Sequence, residues 1–268
     1  MNPRGRDPET FDGLMRYLSG KEIPALCPSR LIVEIGLFFL GATYRAGTLE
    51  TDGTERLVVN LRELDCFTFV ENVVALAWVF KSRQRSFEAF CRMIRKTRYR
   101  QGRMQGYASR LHYFSDWIQD NEKKGIVKNV TAEIGGRPWR KTINFMTTHQ
   151  DLYPALKDGA SLRKMRFFEK TISGRPHFFI RKEDMRRLES RMDDGDLIAI
   201  TTDREGLDVQ HVGIAARVKN RIHLLHASSK EGRVILSSKT LYRYLIESKV
   251  RSGIIVVRIL AKGIEQRS

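Results

Sequence analysis

The sequence predicts an α+β fold in which helices come first and short strands follow. Apolar residues recur at helical spacing through the longer first part of the chain. Short β-rich segments, separated by Asn, Gly, Ser and Lys turns, fill the remainder. No internal repeat or low-complexity linker interrupts either part. We therefore expect a single domain over residues 1–268, with a helical part at about 9–173 and a β-rich part at about 174–262.

Hydrophobic periodicity predicts the individual elements. Helices are expected at 9–19, 30–41, 66–80, 109–123, 147–173 and 241–248. Strands are expected at 57–59, within 126–146, and at 174–182, 196–202, 209–218, 221–227, 233–236 and 253–260. After the turn at 193–196, the hydrophobic pattern changes from helical spacing to short β-rich segments. Because short turns separate these segments, the later strands are expected to form an antiparallel sheet or a small barrel.

Composition excludes several classes of protein. The hydrophobic fraction of 41% and the aromatic fraction of 9% are those of an ordinary globular chain. No apolar run reaches the length of about 18 residues that a membrane span needs, and the best candidate, 31–44, contains Glu34. The three cysteines (Cys27, Cys66 and Cys91) form no CxxC pair, which excludes a disulfide framework and a zinc finger.

The compartment stays open at this stage. Residues 1–13 are polar and lack the apolar segment of a signal peptide. One interpretation is a cytosolic protein. The other is that the sequence starts after a removed signal, in which case a periplasmic or exported protein is expected.

Charge is the unusual feature of the composition. The chain has 48 basic and 31 acidic residues, for a net charge of +17. Such a protein attracts polyanions, whether nucleic acid, anionic lipid or an acidic cell-wall polymer. Basic residues are densest at 81–110, where a solvated basic face and an anion-binding role are both compatible with the sequence.

Cys66 lies where an extended run meets the apolar helical pattern of 70–80. Asp65 is a suitable N-cap, which puts Cys66 in the first turn of the helix. There, unpaired backbone N–H groups and the helix dipole favour thiolate over thiol. Thr68 followed by Glu71 has capping-box spacing and offers an alternative start. Either start leaves the sulfur near a helix N-terminus, a position typical of a reactive thiol.

A thiol nucleophile needs a base, and the base needs an orienting partner. The predicted strand 209–218 contains His211, and the next strand contains His223 and His226. A turn at 219–220 would bring His226 beside His211, where it could determine the ring tautomer. Alternation along a strand turns His223 to the opposite face, so His226 is preferred as the third residue. A buried histidine is, however, more often a satisfied core residue.

Several runs resemble the NlpC-type papain-like cysteine peptidases and amidases of bacterial cell walls. They are Asp65-Cys66 at the helix start, His211-Val212-Gly213-Ile214, Leu225-His226-Ala227-Ser228-Ser229, and Gly41-Ala42-Thr43-Tyr44. Four further runs resemble one subgroup, the N-acetylmuramoyl-L-alanine amidase-like proteins: LDCFTFVE at 64–71, RYRQG at 98–102, SRLHYFSDW at 109–117 and INFM at 143–146. The parent family's DCSG is DCFT here, which separates the chain from the generic endopeptidases of that family.

The resemblance implies a papain-like core, in which a catalytic helix packs on the antiparallel sheet or barrel, with extra N-terminal and inserted helices. It implies Cys66 as nucleophile, His211 as base and His226 as its orienting residue, with Tyr44 beside the nucleophile and near the oxyanion. The amide cleaved in the subgroup joins N-acetylmuramic acid to L-alanine. The expected partner is peptidoglycan or a muropeptide, bound by a monomer without cofactor or metal.

Four residues are expected to line the substrate cleft, namely Arg110, Tyr113, Trp117 and Asn144. The alternative for Tyr113 and Trp117 is packing in the core. The alternative for Arg110 is an ion pair with Asp116 or Glu71.

Three other functions compete with the amidase. A stem-peptide endopeptidase of the same fold would use the same chemistry. A zinc hydrolase could use Cys66 with His211, His223 and His226, but no H-E-x-x-H run occurs. A nucleic-acid-binding module would explain the charge and the tyrosines within 81–110, but no helix-turn-helix, zinc-finger or RNP-like run accompanies them. We therefore expect no nucleic acid as a specific partner.

Overall fold

The computed structural model describes residues 6–21, 28–51 and 53–260. The helices in these residues are α1 (Asp7–Ser19), α2 (Pro28–Phe38), α3 (Cys66–Lys81), α4 (Phe87–Arg98), α5 (Phe114–Lys123), α6 (Phe145–Thr148), α7 (Gly159–Ser173), α8 (Met185–Leu188) and α9 (Leu241–Ile246). The strands are β1 (Thr43–Tyr44), β2 (Glu63–Leu64), β3 (Val127–Asn129), β4 (Arg137–Trp139), β5 (His177–Arg181), β6 (Leu197–Thr202), β7 (Val209–Val218), β8 (Arg221–Ser228), β9 (Arg233–Thr240) and β10 (Arg251–Ile259). No helix within these ranges combines the length and the apolar character needed to cross a bilayer.

The strands form one sheet. Its order is β2-β1-β9-β8-β7-β6-β10-β5-β4, and β3 pairs with β10. All the pairings are antiparallel except the short parallel pair of β1 and β2. Lys219 and Asn220, which join β7 to β8, both have positive φ (45° and 63°), as a tight hairpin turn requires. The predicted α+β class is thus confirmed.

The central strands separate two apolar cores. In β6, for example, Leu197 and Ala199 belong to a core shared with α1 to α5, whereas Ile198 and Ile200 belong to a core shared with α8 and α9. This alternation follows from the two-residue period of a strand. Helix α3 lies on the first face and α9 on the second. A side chain of the sheet therefore faces one helix or the other, according to its position along the strand.

Helix α2 packs closely against β8. A Cβ atom added to Gly36 would lie only 2.6 Å from Cδ2 of Leu225. Glycine at position 36 therefore allows the helix backbone to approach the strand more closely than any other residue would.

A buried ion pair joins α4 to α3. Arg98 is 3% exposed, and its Nε donates to Glu71 Oε2 at 2.7 Å. The Arg98 guanidinium also donates to the carbonyl oxygen of Val58. Residues 57–59, which were predicted to form a strand, are in no strand of the structure, and the Val58 carbonyl oxygen accepts from Arg98 instead of from a neighbouring strand.

Two other element predictions are wrong. The helix expected at 109–123 starts only at Phe114, because Arg110 forms an isolated antiparallel bridge with Tyr99 and is held in extended backbone. The stretch 126–146, expected to be strand-rich, has only the three-residue strands β3 and β4, and Phe145 begins a helix. The predictions for 1–5, 22–27 (with Cys27), 52 and 261–268 lie outside the described residues.

Candidate active site

Cys66 is the first residue of α3, and a reciprocal capping box creates this helix start. The Asp65 carboxylate accepts from the Thr68 backbone N–H at 2.7 Å, and the Thr68 hydroxyl accepts from the Asp65 N–H at 2.9 Å. Asp65 is therefore the N-cap, as predicted, and the alternative start at Thr68 with Glu71 is wrong, because Thr68 is the third helical residue and the capping partner of Asp65. The Cys66 side chain is partly exposed at the end of this otherwise buried helix.

The environment of the sulfur favours the thiol. Burial raises the pKa of Cys66 to about 12, and the neighbouring Asp65 carboxylate acts in the same direction. Backbone N–H groups of Val212, Phe67 and Cys66 itself lower the pKa, as expected at a helix N-terminus, but they do not outweigh burial. At neutral pH this environment favours the neutral thiol over the thiolate that was expected from the sequence.

The two histidines form a hydrogen-bonded pair. Nε2 of His211 lies 2.7 Å from Nδ1 of His226, and the rings are nearly perpendicular, at 86°. The register Ile214↔Leu225, extended by one residue, places His226 opposite Gly213. His211 and His226 are therefore diagonal neighbours on one face of the sheet.

Gly213 allows this close approach of β7 and β8. A Cβ atom at position 213 would lie 2.9 Å from the Leu225 carbonyl oxygen and 3.0 Å from Cβ of His226. His223, the alternative third residue, lies apart from the pair, with its Nδ1 at 2.9 Å from the Ser237 carbonyl oxygen.

Both histidines of the pair are neutral. Burial lowers the pKa of His211 to about 3, with further lowering by His226 and Arg251. Burial and Arg251 lower the pKa of His226 to about 4. Each ring therefore carries one N–H, and the 2.7 Å contact is a single hydrogen bond between two neutral imidazoles.

Two residues beside the pair were not predicted from the sequence. The Tyr244 ring lies 5.5 Å from that of His226 and 6.3 Å from that of His211, measured between centroids. The Arg251 guanidinium lies 3.9 Å from the Tyr244 ring, and it donates to the Tyr244 carbonyl oxygen. Tyr244 is in α9 and Arg251 begins β10, so only the assembled fold brings them to the histidines.

A cavity of about 150 Å³ contains both Cys66 and His211 in its wall. The other lining residues include Phe67, His112, Tyr113, Phe145, Tyr153, Asp208 and Gln210. The structure thus brings the predicted nucleophile and base to one cavity, although their elements are far apart in the sequence.

Tyr44 lies next to the start of α3, but it is not among the residues that line the cavity of about 150 Å³. Tyr44 pairs with Leu64 in the short β1–β2 ladder, directly before Asp65. Burial raises the pKa of Tyr44, and the negative charges available at Cys66 and Asp65 raise it further. The phenol therefore stays protonated and remains a hydrogen-bond donor beside the helix start.

Tyr113 lines the cavity and is at the same time buried in an apolar core, so it fits both the predicted position and the alternative of core packing. Its hydroxyl donates to Glu169 at 2.7 Å and accepts from the Met146 N–H at 2.9 Å, so the ring is held firmly in the wall.

Asn144 does not line the cavity. Its backbone N–H donates to the Gly206 carbonyl oxygen at 3.0 Å, and its side chain lies against Gly206. Asn144 therefore anchors a loop, which corrects the prediction of a substrate contact.

The structure also corrects the predictions for Arg110 and Trp117. Trp117 is completely buried and stacks on Phe114 at 5.1 Å. Arg110 is 5% exposed, and its Nη2 pairs with Glu50 at 2.7 Å rather than with Asp116 or Glu71. Neither side chain lines the cavity, because Trp117 packs in the core and Arg110 forms an ion pair within the protein.

His112 is a further residue of the cavity wall that was not among the predicted site residues. Its Nε2 lies 3.0 Å from the Tyr107 carbonyl oxygen, which can only accept, so Nε2 carries the proton. Burial lowers the pKa of His112 well below its usual value, which makes it a neutral ring with an acceptor Nδ1. The sequence feature that could have identified His112 is its place in the SRLHYFSDW run.

Within the described residues, no three His, Cys, Asp or Glu side chains are grouped to hold a metal ion.

Comparisons with known proteins place the chain in a family. A family model described as AmiA-like, N-acetylmuramoyl-L-alanine amidase-like, matches residues 34–254. The chain is similar to the crystal structure of an N-acetylmuramoyl-L-alanine amidase from Bacteroides uniformis, with 36% identity and a TM-score of 0.82 over 87% of this chain and 98% of that one. No match was found among curated proteins.

Two further solved structures are similar. One, from Bacteroides fragilis and described as a candidate xylanase, has 40% identity and a TM-score of 0.78 over 84% of this chain and 98% of that one. The other, from Legionella pneumophila, has a TM-score of 0.72 over 96% of this chain and 95% of that one, and its 20% identity indicates likeness of fold alone. Because the family model spans most of the sequence, the chain belongs to the AmiA-like family of N-acetylmuramoyl-L-alanine amidase-like proteins.

Proposed function

We propose that the protein is a cysteine amidase that hydrolyses the amide between N-acetylmuramic acid and L-alanine in peptidoglycan or muropeptides. The observation that carries the proposal is the shared cavity of Cys66 and His211, together with the bond from His211 Nε2 to His226 Nδ1. We further propose that α3 and the central strands are a papain-like core of the NlpC type. Membership of the AmiA-like family supports both statements.

The histidine pair defines which nitrogen acts as the base. Nε2 of His211 is occupied by His226, so Nδ1 is the nitrogen left for the thiol. Nδ1 can accept a proton only if Nε2 carries the hydrogen and donates it to His226 Nδ1. His226 then carries its own hydrogen on Nε2. The role proposed for His226 is to hold this tautomer of His211.

Reaction begins from two neutral groups. As the Cys66 sulfur attacks the amide carbonyl carbon, its proton passes to His211 Nδ1, so no stable ion pair is needed beforehand. The carbonyl oxygen gains negative charge and is stabilised by the free N–H of Cys66 at the helix start and by the Tyr44 hydroxyl. The imidazolium then protonates the leaving amine, and the muramoyl group stays on sulfur as a thioester.

Hydrolysis of the thioester reverses these roles. His211 takes a proton from a water molecule, and the resulting hydroxide attacks the thioester carbonyl. The sulfur then leaves and takes the proton from the His211 imidazolium, which restores the thiol and the neutral base. The products are the free lactyl carboxylate of the sugar and a peptide with a new L-alanine amino terminus.

Mass spectrometry of a digested muropeptide tests the proposal. Incubation with a disaccharide pentapeptide should give two fragments, the disaccharide acid and the intact pentapeptide. Cleavage within the peptide would instead indicate the stem-peptide endopeptidase. The His211→Ala variant is the control for contaminating hydrolases. An unchanged substrate after prolonged incubation with the folded wild type would contradict an amidase of this specificity.

A further inference from the structure

A second cavity, of about 570 Å³, adjoins the histidine pair. It shares Gln210 and His211 with the cavity that contains Cys66, so the two cavities meet at the proposed base. Its remaining wall comes from the ends of β8 and β9, from α9 and from the start of β10. Among its lining residues, only His211 and His226 were predicted as site residues, and both were predicted to be catalytic.

The position of this cavity relative to the sulfur determines what it can hold. In the proposed reaction the acyl group is joined to Cys66, whereas the amine leaves from the side of the imidazole that protonates it. A leaving group that departs past His211 enters the second cavity. For a muramoyl-L-alanine amide, the leaving group is the stem peptide.

The wall of the second cavity is polar and carries more positive than negative charge. Its cations are Lys230, Lys239 and Arg251, and its anions are Glu231 and Glu247. Lys239 and Glu247 pair with each other. Among the described residues, no carboxylate forms an ion pair with Arg251, whose guanidinium is held by the Tyr244 ring and carbonyl. Arg251 is therefore a fixed guanidinium with donor capacity left for a carboxylate.

The buried face of the cavity also has an unused polar atom. His226 is 2% exposed and lines the cavity, and its Nε2 has no hydrogen-bond partner among the described residues. In the tautomer required for catalysis this atom carries a hydrogen. An acceptor oxygen or a water molecule held by a ligand in the cavity would satisfy it.

We propose that the second cavity is the subsite for the leaving stem peptide and that Arg251 binds a carboxylate of the residue after L-alanine. This assignment rests on the proposed function. In peptidoglycan that residue is D-glutamate or its amidated form, so the guanidinium would distinguish the acid from the amide.

The experiment compares two substrates that differ only in the two carboxylates of the glutamate: N-acetylmuramoyl-L-alanyl-D-glutamate and the same compound with both glutamate carboxyl groups amidated. The ratio of their kcat/KM values is measured for wild type, Arg251→Gln, Arg251→Lys and Arg233→Gln. Arg233 is an exposed cation on β9 outside the cavity wall, so Arg233→Gln makes the same charge change elsewhere. Any effect of Arg251 on the histidines acts on both substrates and cancels in the ratio.

We expect wild type and Arg233→Gln to prefer the acid by about tenfold, since a charge-assisted hydrogen bond contributes that much or more. Arg251→Gln should bring the ratio close to one while still hydrolysing the amide. Arg251→Lys keeps the charge and should keep a ratio above one, and it decides the matter if the glutamine variant does not fold.

A wild-type ratio of one, or a ratio unchanged in Arg251→Gln, would overturn the subsite while leaving the amidase intact. If only Arg251→Lys folds, a preference for the acid as strong as that of wild type would count against the subsite, because a lysine ammonium does not reproduce the fork of the guanidinium. If folded wild type hydrolyses neither substrate, the proposed function fails together with the subsite.

Discussion

Nε2 of His211 lies 2.7 Å from Nδ1 of His226, so one hydrogen bond joins two rings of neighbouring strands. In the proposed mechanism, this bond leaves Nδ1 of His211 for the thiol. His223 takes no part in the pair, and its Nδ1 contacts the Ser237 carbonyl oxygen. The two histidines of β8 therefore have different expected roles.

His226→Ala should lower kcat/KM by about 100-fold or more, because His211 then populates the wrong tautomer and orientation. His223→Ala, which removes an imidazole from the same strand, should retain most of the activity. Both variants are compared with wild type at equal folded concentration, judged by circular dichroism. Equal activity of His226→Ala and wild type would rule out the orienting role.

The pH dependence of kcat/KM should lack an acidic limb near pH 6.5. The pKa of His211 is lowered to about 3 and that of His226 to about 4, so both rings stay neutral, and able to accept the thiol proton, as the pH falls. Activity should decline only as the pH approaches about 4. The rate profile is measured together with circular dichroism, so that acid unfolding is recognised. A limb centred near 6.5 in folded protein would show that the base titrates as an exposed histidine.

Glu71→Gln should destabilise the protein by about 3–5 kcal/mol, because it leaves the buried Arg98 guanidinium without its counter-charge. The matched control is Glu133→Gln. Glu133 pairs with Lys128 at 2.7 Å, but both side chains are about half exposed (55% and 47%). That variant should change the free energy of unfolding by less than about 1 kcal/mol. Urea denaturation measures the free energy of unfolding of both variants. Equal losses would show that the buried ion pair contributes no more to stability than the exposed one.

Gly213→Ala should impair both folding and activity, since the added Cβ would lie 2.8 Å from Cδ1 of Leu224 and 3.0 Å from Cβ of His226. Forcing β7 and β8 apart should cost about 1–3 kcal/mol and should weaken the His211–His226 bond. Gly159→Ala is the control, because the nearest atom to its Cβ would be Nη1 of Arg163 at 3.6 Å. Thermal melts and turnover should therefore separate the two variants, and an unaffected Gly213→Ala would contradict the close-packing argument.

The features predicted correctly are those that local chemistry determines. Asp65 was predicted as the N-cap of the helix that begins at Cys66, and it caps this helix through a hydrogen bond from a residue only three positions away. The predicted strand 209–218 coincides with β7, because alternation and the turn at 219–220 are both local signals. From these two elements the approach of His211 and His226 could be predicted as well.

What could not be predicted depends on distant partners. Arg110 is neutralised by Glu50, about 60 residues earlier, and nothing near Arg110 in the sequence indicates that pair. Tyr244 and Arg251 reach the histidines only because α9 packs on the face of the sheet opposite α3. The protonation state of Cys66 was also missed, since the helix start favours thiolate locally, whereas burial of the whole site favours the thiol.

The most direct test of the proposed mechanism is the turnover of a muramoyl-L-alanine substrate by Cys66→Ala beside Cys91→Ala. Cys91 is 3% exposed in the core, so its variant controls for the loss of a thiol without touching the cavity. Cys66→Ala should lose activity by about 10⁴-fold or more, and Cys91→Ala should turn over the substrate like wild type. Full turnover by folded Cys66→Ala would contradict the assignment of Cys66 as the nucleophile.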